Sequence, residues 1–477
     1  MAQKTAAQRP FRWITAAVFL GLTAIALVQR GMFMDGLLYV SVAHNLALGF
    51  GTFWEPRFSE EGFAGLPTFH EHPPLAFGME SLWYRVFGSG FWVEGLYSLC
   101  MALATAWLLV RLWRALWGTD RRMAALGWLP VLLWIIVPQV HWCAQNNMQE
   151  NTMAVFTVAA VLMAVRTDRG ALHPLAGLVL VGLFTFLAAM VKGLPGLFPL
   201  CAPFMLGVVR GSAWKGLWRS ALVTATVVGL FALLMLWPEA RQSLLTYAEG
   251  RLLHRIDMDP TVDTRWRIVP QFVEAMLAPM LLMVVARAAT RRRRGADTSN
   301  GRQGATAMLL IGLSGVLPLT LTLVQKSFYM VAALPFVSTA IACMAAPSVA
   351  HLLERTSQGL RRGLLFAGRA GVAAVIVCCA LLFGKPSRDV DLLHDVDLLG
   401  RALPAHTLVS VGPEQWEEWN LQSYLIRFHA ISVSSRPGAA WHLTAGEGAP
   451  PAGYRPVPLP TRHYRLWQRA EGTGPGR

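Results

Sequence analysis

The residues able to do chemistry in this chain are a few acids, lysines and arginines set beside long apolar runs. Asp35 lies in MFMDGLLYVSVAHNLALGFG, just past the first apolar run and flanked by apolar residues. A carboxylate at that depth is costly unless it has partners or work to do. Its functional reading is a general base, or a carboxylate that orients an acceptor hydroxyl; a solvated loop acid is the alternative. Glu150 opens a later apolar run in QNNMQENTMAVF. The helix dipole alone favours an acid there, but the amides around it, Asn147 among them, suggest a polar pocket such as one for sugar hydroxyls. Glu71 sits between His70 and His72 in TFHEHPPLAFG, where Pro73 and Pro74 stop one element and start a helix. Histidines two apart in extended chain point to opposite faces, so Glu71 reads as a polar contact or a single metal ligand rather than part of a two-histidine site.

The cations complement these acids. Lys192 in AAMVKGLPGLFPL and Lys326 in LTLVQKSFYMVAALP each lie between apolar segments, where an ammonium costs about 3 kcal/mol at the bilayer centre. Snorkelling to the headgroups is the plain explanation. With Arg251, His254 and Arg255 they also form a cationic set suited to a phosphate on a lipid that enters sideways from the bilayer. Fixed positive charge of this kind stabilises a phosphate leaving group.

The elements that must position these residues are membrane spans. The chain is 54% hydrophobic and only 14% charged, and a span needs about 20 mostly apolar residues. About eleven such runs are present, starting near residues 13, 94, 123, 149, 173, 193, 219, 268, 306, 328 and 364. The first run follows Lys4, Arg9 and Arg12 and reads as an uncleaved anchor. With the N-terminus inside, every inner connection is basic, from Arg114, Arg121 and Arg122 through Arg166 and Arg169 to Arg355, Arg361 and Arg362. This follows the positive-inside rule throughout. The same rule accounts for the net charge of +15, which in a soluble protein would suggest nucleic acid; no nucleic-acid partner is expected. The outer connections, residues 31–93 and 238–267 among them, then carry the acids and cations named above. The six cysteines show no metal spacing and read as packing residues.

The expected fold is therefore an all-α polytopic membrane bundle with a small C-terminal α/β soluble domain. The membrane domain is residues 1–384 and the outer-facing domain 385–477. In the tail, DVDLLHDVDLLGRAL and EQWEEWNLQSYLIRFH read as helices, and TLVSVG, HAISVSS, AAWHLTA and YRLWQR as strands. Strand–helix alternation suggests parallel pairing.

An Asp after the first span, an acidic-Pro-Pro segment in the first outer loop and an acid opening a later span occur here in one order. They are followed by Lys-Gly between two spans and Lys-x-x-Tyr near the last ones. Together they resemble the GT-C glycosyltransferases of the protein-mannosyltransferase type (glycosyltransferase family 39), in particular the branch that transfers aminoarabinose to lipid A. The likeness covers roughly residues 10–350. It implies a GT-C bundle that passes a sugar from a polyprenyl-phosphate carrier to an acceptor outside a bacterial inner membrane, the acceptor being a glycolipid such as lipid A, or a protein. It places Asp35 and Glu150 at the catalytic acids. It places Lys192 and Lys326, the latter with Tyr329 in the Lys-x-x-Tyr motif, at the phosphate; by their own residue types Arg251 and Arg255 join that phosphate site and Asn147 the substrate pocket. A divalent metal at Glu71 and His254 is one option, and no cofactor the other. The chain departs from the pattern at Asp35-Gly36, where many relatives have Asp-Glu, and at His72-Pro73-Pro74, where many have Lys-Pro-Pro. A single displacement with Asp35 as base would invert the anomeric centre. The main rival is a multi-span transporter or flippase of a lipid-linked or anionic substrate; no convincing internal repeat supports it. A lipid-linked polymer ligase and a non-catalytic scaffold are weaker rivals.

Overall fold

The computed structural model describes all residues except 1, 64–65, 119, 254–259, 291–298 and 471–477, and the side chains of 2–7, 251–253 and 299–300. The helices run in order: α1 (Ala2–Leu27), α2 (Met34–Ala47), α3 (Leu75–Phe87), α4 (Val93–Trp117), α5 (Arg121–Ala124), α6 (Trp128–Ile135), α7 (Pro138–Gln145) and α8 (Gln149–Asp168). Then come α9 (Pro174–Lys192), α10 (Ala202–Val209), α11 (Ala213–Met235), α12 (Pro238–Tyr247), α13 (Ile268–Ala289), α14 (Ser299–Val316), α15 (Leu334–Arg355) and α16 (Gln358–Leu382). The tail adds α17 (Val390–Ala402), α18 (Pro413–Trp416) and α19 (Trp419–His429). Its strands are β1 (Leu408–Val411), β2 (Ser432–Ser434), β3 (Trp441–Ala445), β4 (Tyr454–Pro456) and β5 (Tyr464–Arg469). By internal contacts the chain forms two units, residues 1–26 with 98–382, and residues 27–97 with 383–477.

The first unit is the multi-pass membrane bundle. Among the described residues, eight helices are long and apolar enough to span a membrane, or nine if α7 and α8, bent by 116°, count as one. The expected runs near residues 123 and 193 are present but short. The first becomes α5 and α6; the second becomes a 3-10 segment, Leu194–Cys201, followed by α10. Proline explains the second case, because Pro195 and Pro199 remove amide donors that an α-helix would use. Burial ranks the spans. In its apolar 18-residue stretch Ser327–Arg355 has 89% of its residues buried and forms the bundle's centre, whereas the corresponding share is 6% in Gln358–Leu382 and 11% in Ala213–Met235. The last two expose Leu, Val, Phe and Trp side chains, as lipid-facing helices must.

α8 and α9 form an antiparallel hairpin around a turn at Gly170 (φ +71°) and Ala171. Gly177 of α9 abuts Thr167 of α8 so closely that any Cβ would collide with the threonine hydroxyl. That close approach brings the backbones together and fixes which residues meet at the far end of the hairpin.

The second unit holds the sheet, in the order β2-β1-β3-β5-β4. β1 pairs in parallel with both β2 and β3, as strand–helix alternation suggested, while β3–β5 and β4–β5 are antiparallel. Leu393, Val396 and Leu399 of α17, spaced for one helix face, pack with Leu421, Tyr424 and Leu425 of α19 on Val409, Val433, Leu443 and Leu466 of the sheet. Asp395 is fully buried, and its carboxylate accepts the backbone N–H groups of Arg462, His463 and Tyr464. The region between the first two spans belongs to this unit. α2 packs on α19, and Ser41 donates to the Ser423 carbonyl at 3.1 Å. Arg427 of α19 pairs with Glu94 at 2.8 Å, both side chains being at most 5% exposed, and Tyr84 donates to the same carboxylate oxygen at 2.9 Å.

Candidate active site

In the first unit the site begins at the break between α7 and α8. Pro138 starts α7, and the helix ends at Asn146. Asn147 turns the chain with φ +48°, a left-handed conformation that asparagine adopts more readily than most residues. Met148 is extended and α8 begins at Gln149. Glu150 therefore stands in the first turn of α8, where the helix dipole favours a carboxylate, and Lys192 is the last residue of α9, where it favours a cation. The hairpin sets these two ends side by side. Lys192 Nζ lies 2.5 Å from Glu150 Oε1, with the side chains 5% and 0% exposed.

The surroundings of this pair are aromatic on one side and polar on the other. Lys192 Nζ is 5.4 Å from the ring centre of Tyr329 and 5.8 Å from that of Phe328, within range of a cation–π attraction. Phe328 stacks on Trp142 at 5.5 Å. Phe328 and Tyr329 sit on the 3-10 segment Ser327–Ala333, and Thr157 of α8 donates to Ala332 there. Glu150 Oε2 and both polar atoms of the Gln149 amide are buried with no hydrogen-bond partner among the described residues. Such groups are expensive to leave unmet, and they are what a polar ligand would satisfy. At Gly193 (φ +75°) a Cβ would strike the Tyr247 hydroxyl, so a side chain there is excluded twice over.

The other expected residues fall as follows. Asn147 is buried in the turn before α8. Lys326 is exposed and extended, directly before the segment that carries Phe328 and Tyr329. Gln325 beside it is buried and anchors the loop: its amide donates to Arg265, Leu319 and Thr322 carbonyls and accepts from Ile268 N–H. Arg251 falls in a single helical turn, Ala248–Leu253, with its side chain outside the described residues. His254 and Arg255 lie outside the described residues.

Asp35 and Glu71 belong to the second unit. Asp35 is half-buried in the first turn of α2, whose N-cap Phe33 supplies no side-chain cap. Tyr39, one turn on and on the same face, is hydrogen-bonded through its hydroxyl to His72 Nε2 at 3.0 Å. Glu71 is half-buried between His70 and His72, both under 9% exposed. Burial lowers the pKa of His70 and so favours its neutral form. Among the described residues no three His, Cys, Asp or Glu side chains are grouped to hold a metal ion.

Phe328, Trp142 and the amide of Gln149 were not singled out as site residues. Gln149 was legible as one of the amides in QNNMQEN; the two aromatics look in sequence like any others near a span.

No family model matches the chain, and no curated protein matches it in sequence. Solved structures do. ArnT from Cupriavidus metallidurans bound to undecaprenyl phosphate is 13% identical, with 97% of this chain and 98% of that one covered, at a TM-score of 0.66. The same protein in its apo state is 14% identical, with 95% of each chain covered, at 0.62. The Archaeoglobus fulgidus oligosaccharyltransferase in complex with zinc and sulfate aligns at 0.49 with 13% identity, over 91% of this chain and 68% of that one. The agreement with ArnT over nearly the full length of both chains shows that this protein has the GT-C fold its motifs implied.

Proposed function

We propose that the protein is a glycosyltransferase that moves a sugar from a polyprenyl-phosphate carrier to a hydroxyl acceptor, a glycolipid such as lipid A or a protein. The observation that carries the reading is the buried Glu150–Lys192 pair, with Glu150 Oε2 and the neighbouring Gln149 amide unmet among the described residues, set in a fold shared with a protein that binds undecaprenyl phosphate. A polyprenyl phosphate is already a good leaving group. Catalysis then needs positioning of the anomeric carbon, a held phosphate and an oriented nucleophile.

In this reading Lys192 neutralises charge on the departing phosphate, and Glu150 holds that ammonium in place. Lys326, Tyr329, Arg251 and Arg255 hold the rest of the carrier headgroup, and Asn147 contacts the sugar. Asp35 takes the acceptor's proton as the hydroxyl attacks the anomeric carbon and the C–O bond to phosphate breaks, which inverts that centre. Glu71 would contact a divalent ion if one is used; such an ion would supply further positive charge, and no step is routed through it. The basic connections support a bacterial inner-membrane location with a cytoplasmic N-terminus and a periplasmic site and tail.

The test is transfer from a radiolabelled polyprenyl-phosphate sugar by wild type and Asp35→Asn. The variant should bind the carrier as wild type does and lose at least about 100-fold in turnover, the usual size of a general-base contribution. Unchanged turnover would remove Asp35 from the chemistry.

A further inference from the structure

Among the described residues of the first unit, a dense cluster of charge lies at the other end of α8 from Glu150. The helix is 20 residues long, so its ends stand about 30 Å apart, the thickness of the hydrocarbon core. At that far end a cleft of about 700 Å3 is lined by Arg111 and Arg114 of α4, by Arg166, Asp168 and Arg169 at the end of α8, and by Arg210 after α10. One carboxylate does not balance five guanidinium groups. It is also already committed, because Asp168 holds Arg210 at 3.0 Å and Arg219 at 3.1 Å. Arg169 donates to the Leu116 carbonyl, and its buried Nε has no partner among the described residues. Arg111, Arg114 and Arg166 form no ion pair with a carboxylate among the described residues.

A second hollow, of about 520 Å3, continues from the first and shares Arg111 and Arg114 with it. Apart from Arg12 and Thr15 of α1 and the two shared arginines its walls are largely apolar, with Phe19 of α1, Leu103, Ala106, Trp107 and Val110 of α4, and Val131 of α6. It runs along the spans, where lipid chains lie. Arg111 lies over the Trp107 ring at 5.6 Å, at the junction of the two hollows. A basic pocket opening into an apolar groove between helices is the shape of a phospholipid, headgroup in one and acyl chain in the other.

We propose that the arginine cleft and the adjoining groove form a binding site for an anionic glycerophospholipid, on the membrane face opposite Glu150 and Lys192 and separate from the carrier site. The excess of arginines favours a headgroup with two phosphates over one with a single charge, and a zwitterionic headgroup least. Scattered snorkelling arginines would also satisfy the positive-inside rule, but they would not need a shared cleft, an unmet buried guanidinium nitrogen and an apolar groove in register with it.

The experiment is native mass spectrometry and lipid titration of the full protein in detergent. The probes are cardiolipin, phosphatidylglycerol, phosphatidylcholine and inorganic pyrophosphate. Retention should follow cardiolipin, then phosphatidylglycerol, then phosphatidylcholine. Arg111→Gln with Arg114→Gln should weaken cardiolipin binding roughly 30-fold, from the usual worth of two basic residues at a membrane surface. Lys215→Gln with Arg355→Gln, basic positions outside the cleft, should change it less than twofold. Ala106→Phe fills the groove without altering charge, and should weaken cardiolipin while leaving pyrophosphate binding as it was. Equal losses in both charge pairs would make the effect diffuse and overturn the site. Pyrophosphate binding as tight as cardiolipin, insensitive to Ala106→Phe, would make the ligand a free anion and overturn the lipid assignment.

Discussion

Lys192→Met removes the cation from a pair whose carboxylate is fully buried and whose ammonium is 5% exposed. The remaining Glu150 charge would have neither water nor a counter-ion, a situation that costs about 3–5 kcal/mol. Glu150→Gln strands the ammonium and acts in the same direction. The double variant Glu150→Gln/Lys192→Met keeps the volume and removes both charges. Replacing a whole buried pair by neutral groups is often close to neutral in stability, so the double variant should be more stable than either single one. The assay is apparent unfolding temperature of the purified protein at one scan rate and one lipid concentration, since such unfolding is commonly irreversible. Turnover is measured on the same samples. The expected pattern is recovered stability with activity lost in all three variants. If the double variant is as unstable as the two single losses added together, the pair is not coupled and its geometry is wrong. If the double variant is active, the pair is structural and has no part in holding the phosphate.

Other outcomes follow from the same structure. His44 of α2 is 6% exposed and packs against the Tyr84 ring, neither ring nitrogen has a hydrogen-bond partner among the described residues, and burial, then the nearby Arg427 charge, lowers its pKa to about 3. Its folded pKa lies below the unfolded value of about 6.5, so the unfolded chain takes up a proton that the native one refuses. Stability should be unaffected by this group above pH 6.5 and fall as pH drops towards 3, by up to about 1.4 kcal/mol per unit. His44→Leu should flatten that limb of a plot of unfolding temperature against pH, and an unchanged slope would assign it to other groups. For Glu71, turnover after chelation and stepwise return of a divalent ion should show a higher ion requirement in Glu71→Gln than in wild type. The same requirement in both would take Glu71 out of any metal site.

The membrane architecture was legible because its cause is local. Apolar length is written along the chain, and each expected run is helical among the described residues, with prolines shortening the one near residue 193. The Glu150–Lys192 contact was half legible. Both were expected at the same membrane face, and each is 21 residues from Ala171 in the hairpin turn, but direct pairing depends on the close approach of α8 and α9 at Gly177. The packing of residues 27–97 with the tail was not legible. It rests on pairs such as Arg427–Glu94 and Arg30–Asp397, which are more than 300 residues apart in sequence. A buried Arg looks in sequence like any surface Arg. The mixed sheet was partly legible: alternation signalled the parallel half, while the hairpin-like return of β5 against β3 carries no such signal.

Transfer chemistry and lipid transport make opposite demands on the donor. In sealed proteoliposomes loaded with a labelled polyprenyl-phosphate sugar, a glycosyltransferase should release free polyprenyl phosphate in step with label appearing on an added acceptor. Donor that stays chemically intact with every acceptor supplied, while its label crosses from one leaflet to the other, would contradict the enzymatic reading and favour a flippase.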